Sequence, residues 1–147
     1  MMDVRGHPPL TGLDEDHTLL VRTDFTDDAG WLDAFARATA PTEGGMVAVL
    51  TAVDDPRYDG LTPGEAAELA SQGDAVALML ADEETVSDDE RTLCVVCADG
   101  FDESFGRSFR VVPEQAWSVE NNLRLANLEF AEFADTADAG DGVFRGF

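Results

Sequence analysis

Between positions 46 and 53 the chain reads Met46-Val47-Ala48-Val49-Leu50-Thr51-Ala52-Val53, a run whose apolar character hardly alternates. A strand with one wet face alternates apolar and polar residues, so a run of this kind is expected where both faces are covered. It asks for a sheet with other elements packed on either side, the layering of α/β domains.

The neighbouring segments fit that layering. Leu19-Leu20-Val21-Arg22-Thr23-Asp24 is a shorter apolar run, followed by Phe25 and by Thr26-Asp27-Asp28-Ala29, a sequence suited to opening a helix. Trp31, Leu32, Phe35 and Ala38 then recur at helical spacing, and Asp27, Asp28 and Asp33 sit toward the end where aligned amides favour anions. Ala40-Pro41 closes the segment. After a loop over 54–60, Thr62-Pro63-Gly64-Glu65 supplies a cap, a proline at the first helical position and a glutamate three residues after the threonine. The short helix that follows ends near Gly73.

Strands are expected over 74–82, 91–98 and 107–112, with an acidic connection from Glu83 to Glu90. No helix separates these three strands, so part of the sheet is expected to be antiparallel. From Pro113 to about Asp135 the pattern is helical, with Val119, Leu123, Ala126, Phe130, Phe133 and Ala137 on one stripe. Asn127 either caps a second helix there or lies within a single rod. The tail Gly142-Val143-Phe144-Arg145-Gly146-Phe147 carries two aromatic rings and is expected to dock. The expected class is α/β with mixed α+β character: one domain, a five-stranded mixed sheet, two early helices and a C-terminal helical region.

A length of 147 residues suits one continuous core. Residues 1–17 hold two prolines, two glycines, both histidines and the group Asp14-Glu15-Asp16. They are expected to form a flexible acidic leader, with the α/β domain occupying 18–147. The chain has 31 Asp and Glu against 9 basic residues, a formal charge of -22, and every basic residue is an arginine. Self-repulsion of this size opposes the compact state at low ionic strength, whereas molar salt shortens the screening length to roughly 3 Å and removes most of the penalty. In this respect the composition resembles that of proteins from halophilic archaea. A hydrophobic content of 44% with nine phenylalanines separates it from disordered acidic chains.

The acidic field and the lack of a basic patch argue against nucleic-acid binding, although carboxylates that imitate phosphates are an alternative reading of the same composition. No apolar stretch reaches the roughly 20 residues that span a bilayer, so no membrane association and a cytoplasmic location are expected. His7 and His17 lack metal-ligand spacing. Cys94 and Cys97 are three apart on a strand and are expected to point to opposite faces as buried small hydrophobes, unable to close a disulfide together. Glycine-rich phosphate loops, dinucleotide fingerprints, zinc-binding His-Glu-x-x-His helices and serine nucleophile elbows are absent, and no cofactor is expected.

Several segments resemble a small family of uncharacterised α/β domains common in actinobacteria. They include Leu20-Val21-Arg22-Thr23-Asp24-Phe25, Tyr58-Asp59-Gly60-Leu61-Thr62-Pro63, Ala81-Asp82-Glu83, Phe109-Arg110-Val111-Val112-Pro113, Trp117-Ser118-Val119-Glu120-Asn121-Asn122-Leu123, Leu125-Ala126-Asn127-Leu128-Glu129-Phe130 and the tail from Gly142. The resemblance implies a whole-domain match, here in an acidic form, and carries no activity with it.

Two constellations are candidates for function. Asp24 after the first strand, with Asp82 and Glu83 after the third, would meet at one edge of a parallel sheet and offer oxygens to a hard divalent cation, with Asp27 as a supplement. Their alternative role is in caps and turns. Arg22, Trp117, Glu120, Asn121, Asn122 and Arg145 form the second set. Arg22 lies in an apolar strand and needs a carboxylate such as Glu120, while Trp117 offers a broad apolar surface for another protein or a small anionic ligand. The alternative is a structural network holding the C-terminal helices and tail to the sheet.

The leading expectation is a non-enzymatic interaction or regulatory domain adapted to high salt, with a protein partner. A metal-assisted hydrolase or phosphotransfer-related enzyme using Asp24, Asp82 and Glu83 is the alternative, and a purely structural subunit the third reading. If repulsion among the acids limits stability, the urea midpoint should rise steadily as potassium chloride is raised from dilute buffer to molar levels. A midpoint independent of salt would contradict this.

Overall fold

The computed structural model describes residues 6–13, 17–71 and 73–147. The Asp14-Glu15-Asp16 group of the expected leader lies outside the described residues. Along the chain run β1 (Thr18–Arg22), α1 (Asp28–Thr39), β2 (Leu50–Val53), a 3-10 turn (Pro56–Tyr58), α2 (Pro63–Ala70), β3 (Ala77–Ala81), α3 (Glu83–Ser87) and β4 (Leu93–Cys97). They are followed by β5 (Ser108–Val111), a second 3-10 turn (Pro113–Gln115), α4 (Ala116–Arg124), α5 (Phe130–Asp138) and β6 (Val143–Phe144).

The strands form one mixed sheet in the order β2-β1-β3-β4-β5-β6. β1 is parallel to both β2 and β3, β4 is antiparallel to β3 and β5, and β5 is parallel to β6. Side-chain alternation divides the core in two. Leu20, Met79, Val95 and Val111 face a layer that contains Trp31, Ala34 and Ala38 of α1, Val86 of α3, Val119 of α4 and Phe133 of α5. Leu19, Val21, Leu78, Leu80 and Val96 face α2, with Tyr58, Leu61 and Leu10 completing the opposite layer. Cys97 belongs to the first layer and Cys94 to the second, the opposed orientation that their spacing requires. Both are free and buried, and burial pushes the Cys94 thiol up to about 11.

Local chemistry explains the helix boundaries. Asp27 caps α1 by accepting from the Gly30 amide, and Thr62 with Glu65 forms the capping box at α2 that the sequence announces. Phe133 is fully buried, with ring centroids 5.1 Å from Phe144 and 5.4 Å from Phe147, so aromatic packing fastens the tail to α5.

Four expectations need correction. The sheet has six strands, because Val143–Phe144 pairs with β5; two residues are too few to show a period. The acidic connection contains α3, capped by Asp82, so helix formation there follows from a cap and tertiary packing rather than from an apolar stripe. The C-terminal region is two helices, but the cap of α5 is Glu129 and not Asn127, after a turn in which Ala126 adopts φ 56°. The run 46–53 is not a doubly covered strand. Only Leu50–Val53 pairs, on the sheet's outer edge, and Met46, Val47 and Val49 are about two-fifths exposed. The segment before β2 bonds instead to side chains of α4, with the Val49 amide donating to Glu120 and the Val47 carbonyl accepting from Asn121.

Part of the segment expected as a leader is docked: His7 and Leu10 are buried, and the Leu10 amide donates to the Leu69 carbonyl at 3.1 Å. No helix among the described residues is long and apolar enough to cross a membrane.

One glycine is fixed by packing. A Cβ on Gly30 would stand 3.0 Å from the Val86 carbonyl oxygen and 3.1 Å from its Cα, so α1 and α3 meet through bare backbone. Gly30→Ala should cost about 1–3 kcal/mol through this overpacking, measured as a lower urea midpoint with an unchanged m-value, whereas Gly64→Ala, where nothing lies within 4 Å, should not.

Candidate functional site

The register Arg22↔Ala81 between β1 and β3, with Val21↔Val53 between β1 and β2, aligns the carboxyl ends of the three parallel strands. The chain leaves β1 for one neighbour and returns on its other side, the arrangement at which open α/β sheets form ligand crevices. Asp54, Arg22-Thr23-Asp24 and Asp82-Glu83 therefore emerge along one edge.

Arg22 fills the middle of that edge. Its side chain is 6% exposed; it bonds to Asp28 through Nη2, to Asp54 through Nη1 at 3.4 Å and to the Asp24 carbonyl through Nε at 3.2 Å. The guanidinium lies 4.6 Å from the centre of the Phe25 ring and 5.7 Å from that of Trp31. Burial by itself disfavours the cation, but Asp28 and Asp54 hold its pKa above the ordinary value. Thr23 seals the adjacent backbone, its amide donating to Ala81 at 2.9 Å and its carbonyl accepting from Gly60 at 2.9 Å.

Asp82 has a different occupation. Arg110 crosses from β5 and grips it with two bonds, 2.8 Å to Oδ2 and 2.9 Å to Oδ1, while Asp82 also accepts from the Thr85 amide at the start of α3. The Arg110 Nε reaches Glu84 at 3.1 Å and Thr92 at 2.9 Å. Burial pushes the Asp82 carboxyl upward, but the bonds and charge of Arg110, with those of Thr85, hold it below the ordinary aspartate value.

The first constellation is therefore not assembled as a metal site. Asp24 accepts from the amide and hydroxyl of Thr26, Asp27 caps α1, Asp82 is clasped by Arg110, and Glu83 is exposed in the first turn of α3. Among the described residues no three His, Cys, Asp or Glu side chains stand where they could share a metal ion.

The second constellation is dispersed over three places. Arg22 meets Asp28 and Asp54 rather than Glu120. Glu120, buried on α4, accepts from the Val49 amide at 2.8 Å and from Arg124 at 2.7 Å, and Asn121 and Asn122 donate to the carbonyls of Trp117 and Ser118 one turn back. Trp117 lines a hollow of about 480 Å³ with Arg37, Pro41 and Gln115. Arg145 binds Glu90 at 2.9 Å and Asp141 at 2.8 Å. Each arginine among the described residues has at least one carboxylate partner.

The sequence reading passed over the opposite edge of the sheet. There the β4–β5 connection presents Phe101 wholly to solvent, with Phe105 and Val76 each about two-fifths exposed beside it. These residues border a hollow of about 430 Å³ that Ala75, Ala98 and Asp99 also line. The loop is braced from within, since Asp99 accepts from the Phe101 amide at 2.9 Å and Asp102 from the Ser104 amide at 2.8 Å. Two phenylalanines in a turn otherwise made of Gly, Asp, Glu and Ser were the available signal.

The architecture is a three-layer mixed α/β domain in which two strand-end carboxylates, Asp54 and Asp82, are paired with arginines. Within that class the chain belongs to the family described as a domain of unknown function, DUF6924, whose model matches residues 17–147. No match to the chain is found among curated proteins.

Because the Asp82 pKa is depressed in the folded state, its stabilising contribution is complete above about pH 4 and is lost as pH falls through the folded value. Asp82→Asn should therefore lower stability at pH 7 by about 2 kcal/mol, with the deficit shrinking as the pH falls below the ordinary aspartate range. Paired urea titrations across that range measure it, and a deficit independent of pH would contradict the linkage.

Proposed function

We propose that this domain binds another protein in a salt-loaded cytoplasm and that it does not act as an enzyme. The observation that carries the reading is Phe101, a large aromatic side chain held fully in solvent on a braced loop beside a hollow of mixed polar and apolar lining. Aromatic residues dominate the energetics of protein interfaces when they enter a pocket that excludes water. Asp99, Asp102 and Glu103 neighbour Phe101 along the loop, so the complementary partner offers an apolar socket edged by arginine or lysine. In concentrated salt the charges contribute mainly to selecting the partner, and the buried ring supplies affinity.

The charge of -22 and the arginine-only basic set support the high-salt setting and the resemblance to haloarchaeal proteins. The metal-assisted alternative through Asp24, Asp82 and Glu83 gains nothing from the geometry, since a turn engages Asp24 and Arg110 engages Asp82. Among the interaction candidates read from the sequence, Trp117 retains a specific observation in its favour. Its hollow makes it a second contact surface, whereas Arg22, Glu120, Asn121, Asn122 and Arg145 are read as fastenings of the fold.

A photo-crosslinking residue at position 101, in the native host at its own salt concentration, should capture one dominant partner that the same residue at exposed position 89 does not. With that partner purified, Phe101→Ser should weaken binding by about tenfold or more in isothermal titration without lowering the thermal midpoint. Equal capture from both positions would overturn the reading.

A further inference from the structure

We propose that the surface between the first 3-10 turn and α2 is a recognition groove for a short Pro-Pro-Leu segment, occupied in this chain by its own residues 7–10. Leu10 is 4% exposed and sits in the same apolar cluster as Tyr58, Leu61 and Leu69. The Leu10 amide donates to the Leu69 carbonyl at 3.1 Å, near the end of α2. The Tyr58 hydroxyl donates to the Pro9 carbonyl at 2.9 Å. His7 lies over the Tyr58 ring, with centroids 6.4 Å apart and planes 18° from parallel. Its Nδ1 donates to the Arg57 carbonyl at 2.6 Å.

These contacts are of two kinds. The bonds through Pro9 and Leu10 use main-chain atoms of the strap, which any peptide could supply. The apolar site for Leu10 and the aromatic face under His7 read side chains. Two successive prolines fix φ near -65° and bias the residue before each toward extended backbone, so the segment loses little conformational freedom on docking. An aromatic ring beside a stiff proline pair, with a hydroxyl aimed at a proline carbonyl, is the chemistry by which proline-rich peptides are recognised.

The family model begins at residue 17, so Tyr58, Leu61 and Leu69 lie inside the matched domain and the strap lies before it. The groove residues thus belong to the matched part of the chain, and the strap is their occupant here. A tethered occupant competes at an effective concentration on the order of millimolar, which keeps the groove closed to a micromolar rival until the strap is released.

The test uses the full chain and a labelled peptide of residues 6–13 as the probe, at molar potassium chloride. Leu10→Asp in the protein should release the strap. That variant should bind the peptide about tenfold or more tighter than the unaltered chain does in fluorescence anisotropy, and adding Tyr58→Phe should weaken binding about fivefold. Peptide carrying the same Leu10→Asp change should not bind. Failure of a folded Leu10→Asp variant to bind the peptide would overturn the proposal, as would equal binding by variant and unaltered chain.

If Leu10→Asp does not fold, hydrogen exchange on the unaltered chain decides. Peptide at about 5 mM, above the expected effective concentration, should accelerate exchange of the Leu10 amide by displacing the strap. Unchanged exchange would show the strap to be an inseparable part of the core. Neither arm involves Phe101, so this result is independent of the partner-binding experiment.

Discussion

Repulsion among carboxylates is the condition under which the other contacts of this molecule have to hold. With a formal charge of -22, elements can pack closely only where a cation stands between the acids or where salt screens them. The arginines occupy such junctions. Arg37 joins α1 to Glu114 in the second 3-10 turn, Arg91 returns to Asp33 of α1, Arg107 joins the start of β5 to Asp135 and Asp138 of α5, and Arg145 ties the tail to Glu90. A single exposed pair of this kind contributes about 0–1 kcal/mol. Their importance lies in position: each ties together parts of the chain that are distant in sequence.

The same condition bears on function. An α/β sheet of this connectivity opens its natural ligand crevice at the carboxyl ends of β1 and β3, and here the crevice is filled by Arg22 and flanked by the Arg110 clasp on Asp82. Both arginines are more buried than most of their counterparts, and both have several oxygens around them. An anionic ligand would have to displace carboxylates from cations that are already satisfied. The unsatisfied groups at the surface are instead apolar, with Phe101 in the β4–β5 turn as the extreme case. The proposed recognition therefore rests on burial of an aromatic ring.

What the sequence disclosed followed from local physics. The Asp27 cap, the Thr62 and Glu65 capping box and the opposed cysteines are decided by neighbours within a few residues or by the two-residue period of a strand. What it concealed depended on distant partners. Met46 to Val49 look like strand because they are apolar, yet their backbone is satisfied by Glu120 and Asn121, more than seventy positions away. β6 exists only by pairing with β5. Asp24 and Asp82 follow the parallel strands β1 and β3, but nothing near Asp82 in the chain announces Arg110 as the group that claims both its oxygens. Likewise the pattern of residues 6–10 reads as loop, and only the face of Tyr58 and Leu69 makes it structure.

The docked strap and the Phe101 edge converge on one element. The Leu69 carbonyl that receives the Leu10 amide lies in the last turn of α2, and Ser71, which caps that helix, lines the hollow beside Phe101. The helix has only eight residues, so its final turn depends on tertiary contacts on both sides more than on intrinsic helix stability. Loss of the strap bond leaves a helix-end carbonyl without that donor, and a partner seated in the hollow would press on the residues that follow it. Any occupant whose affinity depends on the state of this turn is linked to the other site, and the linkage must be equal in both directions.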